Sequence, residues 1–114
     1  MELEVVERED GLTQVALIGK LDVTGLHAVD VKFHALTAGR GRDTIVDLRG
    51  LDFVASLGMG LFISSAQSLR RKGARLVLAG AHGDVAAALT RAGIDQAIPL
   101  VVDVAAAEAT LAAP

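Results

Sequence analysis

The side chains best suited to chemistry in this chain are a serine, three histidines and several aspartates. Ser56 resembles a nucleophile, since it stands in Val54-Ala55-Ser56-Leu57-Gly58 between a predicted strand and a predicted helix. The nucleophile elbow of α/β-hydrolases requires Gly-x-Ser-x-Gly, however, and Val54 stands where the first glycine belongs. No catalytic set of Ser, His and Asp can be assigned. We therefore predict that the chain is not an enzyme.

Metal and nucleotide sites are also not indicated by the sequence. His27, His34 and His82 lack the His-x-x-x-His spacing that places two ligands on one helix face. No Gly-Lys-Ser/Thr phosphate-binding loop occurs. Three carboxylates that might suggest a metal are predicted instead to cap a helix, bond a loop or face solvent: Asp22, Asp47 and Asp52. The sequence therefore predicts no metal and no cofactor.

Hydrophobic periodicity divides the chain into strands that alternate with helices. The predicted strands are 2–5, 13–21, 44–48, 74–79 and 98–101. The predicted helices run from about Leu26 to Gly39, over 56–72 and 84–91, and from an Asp103 cap to about Leu111. Residues 49–55 are predicted to be a connection. Glu9-Asp10-Gly11 separates the first two strands and favours a tight antiparallel turn.

Strands that alternate with helices indicate right-handed parallel crossover units. We therefore predict an α/β fold, with a single domain over residues 1–114. It should have a small, mixed but mostly parallel sheet of four or five strands, an N-terminal antiparallel hairpin and about four helices. A chain of this length can bury a sufficient core without a metal or disulfide.

Composition excludes several classes of protein. Aromatic residues make up 3% of the chain and its net charge is −3, which argues against direct nucleic-acid binding. Cysteine is absent, so neither disulfides nor thiolate sites can form. No signal peptide is evident, and no apolar stretch reaches the roughly 20 residues that span a bilayer. The expected location is the cytoplasm.

Three segments of the sequence carry a family resemblance. The first is residues 15–22, Val-Ala-Leu-Ile-Gly-Lys-Leu-Asp, and the third is residues 76–80 with Gly93-Ile94 behind a helix. The middle segment, residues 45–60, is the specific one: Ile-Val-Asp-Leu-Arg-Gly-Leu-Asp-Phe-Val-Ala-Ser-Leu-Gly-Met-Gly. Together these segments resemble the STAS domain, the family of bacterial anti-sigma-factor antagonists, over essentially the whole chain.

The resemblance implies a regulatory protein that binds a partner through the loop before Ser56 and the first turn of the following helix. In the family, the serine directly before glycine in Asp-Ser-Ser-Gly accepts a phosphate from a partner kinase. Here Leu57 occupies that position and Ala55 replaces the acidic residue. Leucine has no hydroxyl, so phosphorylation there is chemically impossible. The partner-binding residues are expected to be Asp22, Thr24, Ala55, Ser56, Leu57, Gly58, Met59 and Gly60.

Several alternatives remain open at this level. Ser56 is expected either to cap its helix or to serve as a displaced phosphosite. Leu57 and Met59 either pack in the core or form an apolar contact patch. The implied partner is an anti-sigma factor with a kinase-like ATP-binding fold or another regulatory protein, and a homodimer is conceivable. Other roles are an accessory subunit of a transporter ATPase complex or a module that binds a nucleotide or lipid.

Overall fold

The chain begins with a β-hairpin. The structure is a computed structural model that describes residues 1–113. Strand β1 (Glu2–Val6) runs antiparallel to β2 (Thr13–Leu21). The turn between them contains Gly11 at φ +83°, and the Leu12 amide donates to Asp10 Oδ1 at 3.2 Å. The Asp-Gly pair thus makes the turn that the sequence predicts.

The remaining elements alternate as expected. The other strands are β3 (Thr44–Asp47), β4 (Leu51–Val54), β5 (Leu76–Ala79) and β6 (Leu100–Val101). The helices are α1 (Val23–Leu36), α2 (Ser56–Arg71), α3 (Gly83–Arg91) and α4 (Val104–Ala112), with one 3₁₀ turn at Ile94–Gln96. Glycines with positive φ follow α2 and α3, at Gly73 and Gly93. Both positions suit glycine because the left-handed region strains residues that have a Cβ.

The sheet has the order β1-β2-β3-β5-β6, and β4 pairs with the end of β2. All pairs except β1–β2 are parallel. The predicted α/β class with its N-terminal antiparallel hairpin is confirmed, although residues 1–113 form six strands, and not four or five, together with four α-helices. The prediction that residues 49–55 form only a connection is wrong. The end of β2 extends past β3 and needs a partner, which β4 supplies, and the Gly19 amide donates to the Gly50 carbonyl at 2.9 Å.

Helices cover both faces of this sheet. One face packs against α1, α2 and α3 in a core whose largest side chains include Phe33, Phe62 and Leu69. The second face packs against α4 in a smaller cluster that contains Ile45, Val77, Ala79, Ala107 and Leu111. The central strands β3 and β5 are buried along their whole length, as parallel strands covered on both faces must be.

One charged contact joins the hairpin to α4. Arg8 Nη2 donates to Asp10 Oδ2 at 2.6 Å and also to Glu108, while Arg8 Nη1 donates to Gln14 Oε1 at 2.7 Å. The hydrogen bonds from Arg8 lower the pKa of Asp10 to about 2. Asp10 therefore stays ionised at neutral pH and holds Arg8, which also contacts Glu108 of α4.

We predict that Thr13→Val stabilises the protein and that Thr44→Val destabilises it. The two residues are register partners in β2 and β3 and both are buried. Within residues 1–113, Thr13 Oγ1 has no hydrogen-bond partner, whereas Thr44 Oγ1 donates to the Arg42 carbonyl at 2.8 Å. A buried unpaired hydroxyl costs about 1–3 kcal/mol, and a paired one contributes about 1 kcal/mol. Urea unfolding of both variants measures the difference. Equal destabilisation by both would contradict the prediction.

Candidate functional site

The junction between β4 and α2 is tied directly to the end of β2. The Ala55 amide donates to the Leu21 carbonyl at 2.9 Å, and Ala55 in turn accepts a bond from the Met59 amide at 3.1 Å. Ala55 has extended backbone angles, φ −87° and ψ 162°, and is the N-cap of α2. The first turn of the helix is therefore held at one fixed place relative to the sheet.

Ser56 is the first residue inside α2, so the interpretation of Ser56 as N-cap is wrong. The helix begins one residue earlier than serine's capping preference indicates, because Ala55 already takes the extended cap conformation. Alanine has no side-chain acceptor, so the first amides of the helix have no side-chain cap. The Ser56 side chain is exposed, and its hydroxyl makes no hydrogen bond within residues 1–113. That hydroxyl is accessible from solvent.

Two large apolar side chains lie exposed on either side of Ser56 in the sequence. Leu57 is 61% exposed and Phe53, in β4, is 48% exposed. For Leu57 the core interpretation is therefore wrong, because its side chain lies in the first turn of α2 and is exposed to solvent. Phe53 was not among the predicted site residues, although the resemblance implies binding through the loop before Ser56. The available signal was an aromatic residue within that loop, three residues before the helix start.

Gly58 and Met59 are buried beneath this surface. A Cβ placed on Gly58 would lie 2.7 Å from Leu21 Cγ and 3.0 Å from the Leu21 carbonyl oxygen. Only glycine allows α2 to approach the end of β2 so closely. Met59 is 9% exposed and belongs to the core, whereas Gly60 is exposed with open space around it. Of these three residues, Gly60 is thus the one at the surface.

Asp22 and Thr24 lie at the start of α1, beside the end of β2. Asp22 is the N-cap of α1, and its Oδ1 accepts a bond from the Gly25 amide at 2.8 Å. The prediction that Asp22 caps a helix is confirmed. Thr24 is exposed. A Cβ on Gly25 would lie 2.2 Å from the Lys20 carbonyl oxygen, so the tight approach of α1 to β2 depends on that glycine.

Strand β4 connects the two parts of the predicted site. On one side, Phe53, Ser56 and Arg91 line a shallow groove between α2 and the end of α3. On the other side, Asp52 lines a second groove with Asp22 and Thr24. Because Lys20 and Phe53 are register partners, the ends of β2 and β4 lie side by side. The fold thus brings the α1 start and the α2 start to one edge of the sheet.

Charged side chains of both signs surround this edge. Lys20, Asp22, Asp52 and Arg91 line the two grooves. At the end of β3, the buried Asp47 accepts hydrogen bonds from the Arg49 amide at 3.0 Å and from Arg49 Nη2 at 2.7 Å. Burial raises the pKa of Asp47, but the bonds from Arg49 outweigh burial, so the pKa lies below its usual value. Asp47 thus orders the loop after β3, as predicted.

Two further properties bear on what this edge can do. Within residues 1–113, His, Asp and Glu side chains form no group of three or more that could hold a metal ion. None of the helices in the same residues combines the length and apolar character that a bilayer crossing requires. The arrangement offers exposed apolar side chains, the exposed hydroxyls of Thr24 and Ser56, and mixed charges. Such a surface is suited to binding another protein.

Comparison with protein families identifies the fold. The family model described as the STAS domain matches residues 4–107. The chain belongs to the STAS family. The resemblance predicted from residues 15–22, 45–60 and 76–80 is therefore confirmed. Comparison with curated protein sequences gives no match.

Solved STAS structures superimpose on this domain over nearly its whole length. An anti-sigma factor antagonist from Mycobacterium paratuberculosis has a TM-score of 0.85 at 19% identity, with 98% of this chain and 96% of that chain covered. A STAS protein from Planctomyces limnophilus has a TM-score of 0.83 at 17% identity, with coverages of 97% and 98%. The Bacillus antagonist SpoIIAA, unphosphorylated, has a TM-score of 0.68 at 21% identity, with coverages of 96% and 94%. These likenesses establish a shared fold.

We predict opposite effects for alanine at two glycines of this STAS domain. Gly58→Ala should destabilise the protein by about 2 kcal/mol or more, because its Cβ would collide with Leu21. Gly60→Ala should stabilise it by up to about 1 kcal/mol, because alanine favours the helix and nothing lies within 4 Å. Thermal and urea unfolding of the two variants test the pair. A Gly58→Ala variant as stable as wild type would show that α2 can move away from β2 at no cost.

Proposed function

We propose that this STAS domain is an anti-sigma-factor antagonist that acts by binding its partner and catalyses no reaction. The proposed contact surface, here the α2-start surface, comprises Asp22, Thr24, Phe53, Ser56, Leu57 and Gly60. The observation that supports it most is the exposure of Leu57 and Phe53, 61% and 48%, around the first turn of α2. Anti-sigma factor antagonists from Mycobacterium paratuberculosis and Bacillus share the fold.

Binding would remove these apolar side chains from water. Burial of a whole leucine or phenylalanine side chain contributes about 1.5–3 kcal/mol. Leu57 and Phe53 each have about half or more of their surface exposed, so both would contribute. The side chains of Asp52 and Arg91 lie in the flanking grooves and suit a polar rim around this apolar centre.

Gly58 and Met59 contribute to the surface indirectly. Gly58 sets the distance between α2 and β2, and Met59 fills the core beneath the first turn. Ala55 holds the turn through its hydrogen bond from the Met59 amide. These residues make the surface rigid before the partner arrives, which lowers the entropy cost of association.

The family resemblance assigns the phosphoacceptor position to Leu57. An antagonist with leucine there cannot be released from its partner by phosphorylation of that residue. We propose that the domain stays competent to bind, and that its partner is an anti-sigma factor with a kinase-like ATP-binding fold. By occupying that anti-sigma factor, the domain would free a sigma factor for transcription. Control would then come from the amounts of the competing proteins.

Ser56 is the hydroxyl closest to the usual phosphosite. It is exposed, and a phosphate on it would lie at the N-terminus of α2, where the helix dipole favours negative charge. Both features make Ser56 the alternative phosphosite if a kinase does modify this surface.

Leu57→Asp should weaken binding of the anti-sigma factor about tenfold or more. The substitution places a charge in an apolar contact, and central apolar contacts carry most of the energy of an interface. Val31→Asp is the matched control, because Val31 is 80% exposed on α1 outside the proposed surface. Isothermal titration of kinase-fold anti-sigma factors from the native host measures both variants. Equal affinity of wild type and Leu57→Asp would place Leu57 outside the interface. In a pull-down from native-host lysate, capture of a transporter ATPase by wild type but not by Leu57→Asp would favour the accessory-subunit role.

Phosphorylation provides a separate test. With the anti-sigma factor and ATP, wild type should take up no phosphate and stay bound, whereas Leu57→Ser should take up one phosphate and be released. Gly60→Ser is the control, since it adds an exposed hydroxyl to the same helix one turn away. Intact-mass spectrometry and gel filtration report both outcomes. A phosphate on Ser56 of the wild-type protein would identify that residue as the phosphosite and contradict the proposed constant competence.

A further inference from the structure

The cations of this chain are concentrated at the end of the sheet opposite the α2-start surface. Six of the eleven Lys and Arg residues lie in residues 38–43 and 67–75, together with a single carboxylate, Asp43. These six cations are Arg40, Arg42, Arg70, Arg71, Lys72 and Arg75, and we call them the basic end. The chain as a whole has a net charge of −3, so this concentration is a local feature.

The two segments of the basic end are locked against each other. Lys72 Nζ donates to the Ala38 carbonyl at 2.5 Å. A Cβ on Gly41, whose φ is +67°, would lie 3.1 Å from Lys72 Cδ. The Arg75 amide donates to Asp43 Oδ1 at 2.9 Å. The only carboxylate in the two segments thus bonds a backbone amide, and the cations are held together by the fold.

Four of the five guanidinium groups at this end are accessible, whereas that of Arg75 donates to the Leu111 carbonyl at 2.7 Å. Arg40, Arg42, Arg70 and Arg71 are exposed, and within residues 1–113 none of them forms a salt bridge. Arginine matches carboxylates with two parallel hydrogen bonds, so a group of arginines favours an acidic ligand. The fold holds several positive charges close together here. They repel one another, and a bound anion relieves that repulsion.

An apolar cavity opens beside the same arginines. Its volume is about 190 Å³, and the residues that line it include Ala66, Ala74, Leu76 and Pro99, with Arg70 and Arg75 among them. This volume is below the range of about 300–1,000 Å³ usual for small-molecule sites, but it has room for one aliphatic side chain. The arginines and the cavity together therefore suit a short acidic peptide segment that carries one aliphatic side chain.

We propose that the basic end is a second protein-binding surface, which takes an acidic segment of a partner with one aliphatic side chain in the cavity. A nucleic acid fits less well, since the three phenylalanines lie elsewhere and no aromatic side chain is present to stack on a base. A membrane also fits less well. The large apolar side chains that are exposed within residues 1–113 lie outside the basic end: Val6, Val23, Val31, Phe53, Leu57 and Val102.

The two surfaces lie at opposite ends of α2. That helix has 16 residues and is therefore about 24 Å long. A partner at the α2-start surface and an acidic segment at the basic end would not overlap. The domain can thus hold two proteins at once, and this inference does not depend on which protein binds the α2-start surface.

Fluorescence anisotropy with a labelled synthetic peptide tests the proposal. The probe is a twelve-residue peptide of Asp and Glu with a single central leucine, and a second peptide has serine in place of that leucine. Wild type should bind the leucine peptide saturably and at least about threefold more tightly than the serine peptide. Arg70→Glu should weaken binding of the leucine peptide about tenfold or more. Lys32→Glu, the same charge change at an exposed site on α1, should change it less than about twofold.

Each other outcome of this experiment overturns the proposal. Equal affinity for the leucine and serine peptides would show non-specific attraction of charge and no seated side chain. Equal weakening by Arg70→Glu and Lys32→Glu would show that the net charge, and not the basic end, determines binding. If vesicles of anionic phospholipid or a DNA duplex bind the wild type more tightly than the leucine peptide does, the surface serves that class of ligand instead. Circular dichroism of both variants verifies that they are folded.

Discussion

The contact between Gly58 and Leu21 determines where α2 begins and how it lies on the sheet. At this point the helix backbone comes so close to the end of β2 that no Cβ fits between them. The hydrogen bond from the Ala55 amide to the Leu21 carbonyl fixes the same junction from the loop side. Because the two backbones are in direct contact, α2 has little freedom to shift relative to β2. Close packing extends that constraint to the neighbouring residues. The first turn of α2 therefore has one position.

The exposure of Leu57 follows from that position. With Gly58 and Met59 turned toward β2 and the core, helical geometry directs the residues before and after them outward. Strand β4 adds Phe53 because its pairing with the end of β2 buries Leu51 and Val54 but leaves the two residues between them exposed. The apolar surface is thus produced by the packing that stabilises the fold, which leaves both side chains in contact with water.

Periodicity predicted the fold well where each element has its own hydrophobic pattern. The hairpin, the buried strands β3 and β5 and the Asp22 and Asp103 caps are all local features, and the structure has them. Strand β4 was missed because Leu51-Asp52-Phe53-Val54 is neither a continuous apolar run, as in β3 and β5, nor a regular alternation, and because its pairing depends on the distant end of β2. Without that strand, the sequence did not indicate that Phe53 is held beside the start of α2. The capping role predicted for Ser56 failed for a related reason, since residue preference does not specify which of two adjacent residues takes the extended conformation.

In the proposed role, leucine at residue 57, where the family resemblance implies a hydroxyl, would change the kind of control that this surface permits. A phosphate at residue 57 would add nearly two negative charges at the first turn of α2, so that a mainly apolar surface would become a strongly charged one. In the proposed role, leucine would leave the charge at residue 57 constant, so occupancy of the surface would depend on concentrations and on competing proteins. The proposed second surface, at the far end of α2, would add a further means of control. A protein held at the basic end would raise the effective concentration of anything attached to it near the α2-start surface, which would alter occupancy without any covalent change.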